Sequence, residues 1–330
     1  MAEAHGVLVL GEVSAGQLTT TTQECLAAGQ ALAQQAGTTL AVGLVGHELA
    51  RAVQAALQAG GERVYTVDHA LLAEGALELS LAAYTALCRS VAPDIILLGR
   101  TALGRDLGPR LACRLGVGLL QDCLQVELDT ASGRLTATRP VYGGNVLARA
   151  RCLGTPQIAA LRPKTYAPLA GDPARQGEVI AVPVDLDAAL ARVTVVQQVR
   201  QDSAGVKLED ASIVVSGGRG LGGPEPFREL EELAGLLGAA MGASRAAVDA
   251  GWVPGTWQVG LTGKTITPDL YITVGISGAS QHMAGCSGAK AIVAINKDAE
   301  ANIFREARYG VVGDWQVVLP AFMEAIRALP

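Results

Sequence analysis

The chain has 330 residues, half of them hydrophobic, with 4% aromatic and 17% charged residues, 40 glycines and 14 prolines. That length suits two domains or one large one, buries a core without disulfide or metal staples, and its apolar share excludes a disordered chain. With 26 basic against 31 acidic residues, a net charge of −5 and no basic run, nucleic acid is not an expected partner.

Elements follow from the apolar pattern in chain order. Val7–Leu10 reads as a buried strand and Thr20–Ala36 as a helix. Leu40–Val45 is a strand, His47–Ala59 a helix, Val64–Val67 a strand and Gly75–Ser90 a helix. Asp94–Leu98 and then Arg105–Leu115 complete the series. Continuous apolar strands of four to six residues separated by amphipathic helices predict a parallel sheet covered on both faces. Beyond Gly116 the period drops to two. Gln125–Leu128, Arg134–Thr138 and Val146–Cys152, with a Thr130-Ala131-Ser132-Gly133 turn, predict an antiparallel extension of that sheet. Arg162–Gly177, rich in proline and glycine, predicts a surface connection, and Val193–Val199 a last strand before the polar stretch Gln201–Asp210. A second βα series starts at Ile213. The expected division is an α/β domain over 1–204 and a Rossmann-like α/β domain over 205–330.

The six cysteines (Cys25, Cys88, Cys113, Cys123, Cys152 and Cys286) stand singly, with no C-x-x-C pair and no Cys/His cluster. Zinc, iron–sulfur and thioredoxin chemistry therefore lack support, no metal site is expected, and at least five of the six thiols read as buried groups in a reducing compartment. No basic segment followed by an apolar core opens the chain, and apolar runs such as Ile95–Leu98 are too short to span a bilayer. A cytoplasmic protein without direct membrane insertion is the expectation.

Chemistry concentrates after Ile213. Glycines 218, 220 and 223, following the apolar run Ile213–Val215, satisfy G-x-G-x-x-G, a pattern that lets the backbone approach a pyrophosphate. Pro224 and Pro226 interrupt the helix that should follow at once. The acidic residue expected about 20 positions on, at the end of a second strand, is missing, because Met241–Asp249 reads as helical. Gly260-Leu261-Thr262-Gly263-Lys264-Thr265 ends like a P-loop, but the first glycine of that motif would fall at Gln258, which rejects ATP hydrolysis by this route. Gly242–Arg245 places a hydroxyl and a cation after the predicted helix. Ser277–His282 follows the strand Leu270–Val274, and Asn296-Lys297-Asp298 follows the strand Ala291–Ile295. Loops of this character at strand ends can converge on one long ligand, because open α/β sheets bind ligands there.

Taken together, Val215–Gly220, Gly242–Gly251, Gln258-Val259-Gly260, Thr262-Gly263-Lys264, Gly275–Ala279, Gln281-His282 and Ala294–Asp298 resemble the alpha subunit of electron transfer flavoproteins. The resemblance is dense over 213–320 and looser over 1–160, where Val141-Tyr142-Gly143-Gly144-Asn145 still fits. It implies one FAD in the carboxy-terminal domain and pairing with a homologous beta subunit. The amino-terminal domain would pack with that subunit and carry no FAD of its own. By resemblance, Arg219 contacts the diphosphate; Ser244 and Arg245 lie at the isoalloxazine, with Arg245 over the ring. Thr262 offers its hydroxyl to N5, and Val259, Gly260 and Leu261 supply backbone to the ring edge. Ser277, Gly278, Ala279, Ser280, Gln281 and His282 wrap the ribityl and phosphate region, His282 reaching the pyrimidine oxygen as a cation. Asn296, Asp314 and Trp315 hold the adenosine end. Arg245, Thr262 and His282 are thus the residues expected to act on the flavin. Leu261 stands where glutamine is common in the family, Ser280 where an apolar residue is frequent and Met283 where leucine is frequent.

The flavin would perform the redox chemistry while the protein sets its potential and access, with a fixed guanidinium favouring an anionic flavin. The implied role is an electron carrier between donor dehydrogenases and a quinone or other redox acceptor. Alternatives are a subunit of an electron-bifurcating complex, an NAD-dependent dehydrogenase using glycines 218–223, and a non-redox nucleotide-sensing module, which would not need Arg245, Thr262 and His282 together.

Overall fold

The computed structural model describes residues 6–142, 146–193, 195–197, 207–209 and 211–328. They form two compact units, one from the described residues of 1–141 and 147–199, the other from those of 200–330 with 142–146.

The first unit opens with β1 (Val7–Gly11), a short hairpin of β2 (Val13–Ser14) and β3 (Gln17–Leu18), and α1 (Thr20–Ala36). Thr19 starts α1 by accepting the Thr22 N–H on its hydroxyl, and Gly37 ends it in the left-handed conformation. There follow β4 (Leu40–Gly46), α2 (Ala50–Gln58), β5 (Arg63–Asp68), α3 (Leu77–Val91), β6 (Ile95–Gly99) and α4 (Ala102–Leu115). Next come β7 (Leu119–Cys123), β8 (Gln125–Asp129), β9 (Arg134–Val141), β10 (Val146–Arg151), β11 (Gln157–Leu161) and β12 (Glu178–Ala181). Seven strands make a sheet in the order β12-β5-β4-β1-β6-β11-β7, parallel at every junction. Alternation along β1 sends Val7 and Val9 to the face covered by α1 and α2, and Leu8 and Leu10 to the face covered by α3 and α4.

Two expectations change here. The period-two segments do not extend the main sheet: β8, β9 and β10 form a sheet of their own, β8 antiparallel to β9, and Val126, Leu135 and Ala137 enter the core on the α1 side. Instead β11, which is fully buried, and β7 complete the parallel sheet. The connection over 162–177 leads into β12, which pairs with β5 at the sheet edge. Residues 193 and 195–197 contain no strand, and the rest of Val193–Val199, like most of Gln201–Asp210 and all of 143–145, lies outside the described residues.

The second unit contains β13 (Ile213–Gly217), α5 (Phe227–Leu237), β14 (Ala240–Ala243), α6 (Arg245–Asp249), β15 (Leu270–Val274) and α7 (Ser280–Met283). It ends with β16 (Ile292–Asn296), α8 (Ile303–Glu306), β17 (Tyr309–Val312) and α9 (Trp315–Arg327). The sheet order is β14-β13-β15-β16-β17, parallel throughout. Of the helix expected over Met241–Asp249, residues 241–243 instead lie in β14, where backbone bonds to β13 hold them, and Arg245–Asp249 is helical as α6. Arg219–Leu221 makes one 3₁₀ turn, and α5 begins only after the two prolines. Val215, Ile272, Val274 and Ile295 face α5 and α9, while Val214, Tyr271 and Ile292 face the other side with Ile266 and Cys286. The chain leaves β13 toward one side of the sheet and later crosses to the other, so a crevice opens at the carboxyl ends of β13 and β15.

Candidate cofactor cleft

Two glycine-rich turns build the floor of this crevice. A Cβ on Gly218 would stand 2.2 Å from the Gly275 carbonyl oxygen, and the Gly220 N–H donates to that same oxygen at 3.0 Å. The glycines after β13 therefore bring two crossover loops together, a role that spacing alone does not distinguish from phosphate binding. Gly278, at φ +76°, lies under α8 with its Cβ position 2.2 Å from the Ile303 nitrogen.

Above this floor is a cleft of about 670 Å³, within the range of small-molecule sites. It is lined from the ends of four strands: Arg219 after β13, Ser244 and Arg245 after β14, Ser277, Ala279, Gln281 and His282 after β15, and Asn296 from β16. The 258–262 loop adds Val259, Gly260, Leu261 and Thr262. Of the residues singled out in the sequence, Gly278, Ser280, Asp314 and Trp315 are not among the lining. Gly278 is buried beneath the loop and Ser280 opens α7. Asp314 caps α9 by accepting the Gln316 N–H at 3.0 Å, and Trp315 packs on the core.

The individual geometries set what each group can offer. Arg245 is exposed and held by Asp249 at 3.2 Å, a neighbour one helical turn on. The Thr262 hydroxyl accepts from Gln258 Nε2 at 3.0 Å, so its own proton remains to be donated. The N–H groups of Val259, Gly260 and Leu261 are engaged by Ala243, Lys264 and Gln281 carbonyls at 2.9, 3.2 and 2.7 Å. This loop therefore presents carbonyls and apolar surface, not free amides, to a ligand. Asn296 is used at both ends: its Nδ2 donates to the Ile276 carbonyl at 2.9 Å and its Oδ1 accepts the Asp298 N–H at 3.0 Å.

Ser244 Oγ and His282 Nδ1 are buried and make no hydrogen bond. Unpaired buried polar atoms are costly, and both of these residues line the cleft. His282 Nε2 is 2.8 Å from the Tyr271 hydroxyl. Burial pushes the imidazole pKa down to about 4, an effect that the nearby Val259 backbone only tempers. His282 is therefore neutral at pH 7, which corrects the expectation of a cation at this position. Sequence reading missed Gln258 and Asp249, which steady Thr262 and Arg245; both fall inside recognised segments, and their spacing of four was the available signal. It also missed Tyr271, whose link to His282 across 11 residues has no periodic signature. No group of three or more metal-ligating side chains occurs among the described residues.

Fold and cleft define a protein of the doubly wound α/β class with a cofactor-type crevice at the switch point of its second sheet. The Electron transfer flavoprotein domain matches residues 7–187, and the Electron transfer flavoprotein FAD-binding domain matches 207–287. The chain belongs to the electron transfer flavoprotein alpha-subunit family, whose members are flavoproteins of electron transport. It is 40% identical over 330 residues to the Electron transfer flavoprotein subunit alpha of Thermoanaerobacterium thermosaccharolyticum, covering all of both chains. It is 39% identical to that of Megasphaera elsdenii, covering 99% of this chain and 98% of the relative. Protein FixB of Azotobacter vinelandii is 41% identical over 275 residues, 82% of this chain and 76% of the relative. Among the described residues no helix is long and apolar enough to cross a membrane.

Proposed function

We propose that this chain binds one FAD in the cleft of its second unit. Paired with a homologous beta subunit, it carries electrons from flavin dehydrogenases to a quinone or other redox acceptor. The observation that carries this reading is the pair of unsatisfied buried atoms, Ser244 Oγ and His282 Nδ1, on the same cleft as the Thr262 hydroxyl and the Arg245 guanidinium. These are donors suited to the polar edge of an isoalloxazine. Arg219, in the turn after β13, supplies charge for a diphosphate. Bound FAD would supply the redox chemistry; the chain's own groups orient it and set how readily it is reduced.

The amino-terminal unit has the same type of switch point, between β1 and β6, but side chains fill it. The Tyr84 hydroxyl donates to the Gly11 carbonyl at 2.8 Å, and Thr21 and Leu44 methyl groups sit where side chains on Gly99 and Gly11 would go. This favours a single FAD per chain. An NAD-dependent dehydrogenase fits less well, because β14 ends in Ala243-Ser244 with no acidic residue to take a ribose hydroxyl.

The test is the complex with its beta partner. Absorption and released-flavin analysis should give about one FAD per alpha chain, and anaerobic reduction should bleach it reversibly. A colourless complex that FAD cannot reconstitute would overturn the reading. A second FAD per heterodimer would point to bifurcation.

A further inference from the structure

Tyr271 lies on β15 with its side chain fully buried, and its hydroxyl is 2.8 Å from His282 Nε2, with the Ser216 hydroxyl as a second hydrogen-bonding neighbour. The two rings run nearly parallel, 22° apart with centroids separated by 6.1 Å. The Ser216 hydroxyl is placed to donate to the phenol oxygen, an interaction that opposes the rise in the Tyr271 pKa. With Ser216 donating to the phenol oxygen, the phenol proton is left for His282 Nε2. Nε2 is then the acceptor, and the imidazole proton sits on Nδ1. Nδ1 is buried beside the Val259 backbone, whose N–H is taken by the Ala243 carbonyl, so that a carbonyl faces a protonated Nδ1.

We propose that Tyr271 is a positioning residue that holds His282 as the Nδ1–H tautomer, so that His282 meets the cofactor as a neutral hydrogen-bond donor of fixed direction. The proposal rests on the FAD reading above for the identity of the cofactor, but not for the tautomer. Burial supports it: the phenol stays protonated because desolvation and the neighbouring Cys286 raise its pKa, and His282 stays uncharged for the reason already given. With both groups neutral and Ser216 donating to the phenol oxygen, the phenol O–H donates to Nε2. Cys286 Sγ, 3.5 Å from the His282 carbonyl, steadies the short α7 that carries the ring.

The experiment is histidine ¹⁵N NMR on the alpha–beta complex, FAD-free and FAD-loaded, in wild type and Tyr271→Phe. The chain has only 4 histidines, and His282 is assigned as the signal lost in His282→Gln. Wild type should show a protonated Nδ1 and an unprotonated Nε2 in both states. Tyr271→Phe, which removes one oxygen from a filled site, should move the tautomer ratio about five- to tenfold toward Nε2–H, the effect of one lost hydrogen bond. The flavin midpoint potential should fall with it. A protonated Nε2 in wild type overturns the proposal whether or not the variant folds, and so does an unchanged ratio in folded Tyr271→Phe. A shifted ratio with an unchanged potential would detach His282 from the cofactor. Failure to bind FAD with the tautomer as expected counts against the FAD reading alone.

Discussion

Burial determines what His282 contributes at pH 7. Its pKa in the fold is about 4, against an ordinary value near 6.5 in the unfolded chain. As pH falls below about 6.5 the unfolded chain takes up a proton that the fold refuses until about pH 4, so stability drops across that window, by on the order of 3 kcal/mol in all. Urea denaturation of the FAD-free protein between pH 7 and 4 should show this slope, and His282→Gln should lack it; equal slopes would contradict the assignment. Arg245 presents the opposite case. Its pairing with Asp249 is exposed at both ends and contributes no more than about 0.5 kcal/mol. Arg245→Ala should leave the unfolding midpoint nearly unchanged while making bound flavin harder to reduce. An unchanged potential with FAD retained would remove Arg245 from that role.

The loops between elements set the shape of the cleft, and glycines set the loops. At Gly278 a methyl group would meet backbone atoms of α8 that cannot swing aside, in a conformation that already disfavours side chains. Gly278→Ala should weaken FAD binding more than tenfold and destabilise the second unit by about 1–3 kcal/mol, read by flavin titration and thermal melting. Gly235 in α5 has open space around its Cβ position and an ordinary helical conformation. Gly235→Ala should stabilise by about 0.5–1 kcal/mol with unchanged flavin affinity, through helix propensity alone. At this scale the sequence is read correctly wherever caps and periodicity agree, as in Thr20–Ala36. It misleads at 241–243, the expected start of a helix over Met241–Asp249, which hydrogen bonds to β13 hold in a strand.

The whole molecule divides into two compact units, and each has its own stability determinant. In the first, Asp122 at the end of β7 is buried and accepts two hydrogen bonds from Arg162, at 2.8 and 2.7 Å. Burial by itself would raise its pKa, but the Arg162 hydrogen bond and charge, with Arg100 and Arg139, outweigh it and hold the carboxyl below the usual range. Its contribution is therefore present above about pH 4 and is lost as pH falls through the lowered value. Asp122→Asn removes the negative charge that Arg162 and Arg100 share and should cost about 3–5 kcal/mol. Calorimetry should place that loss in the transition of the first unit and leave a FAD-dependent rise in the second. A downward shift of both transitions together would show that the units unfold as one.

What the sequence determined by itself was local and periodic: the alternation of buried strands and amphipathic helices, the restart at Ile213, and a set of small, polar and cationic residues at strand ends. These are legible because helix period, strand burial and capping depend on neighbours a few positions apart. Tertiary structure decided the rest. It placed β8–β10 in a separate sheet and admitted β7 and β11 to the parallel one. It turned the glycines at 218 and 220 into a contact with the Gly275 loop, tied up the amides of 259–261, and made His282 neutral by burying it against Tyr271. Sheet partnership, desolvation and the pairing of a buried polar atom all depend on residues distant in the chain, and no local pattern encodes them.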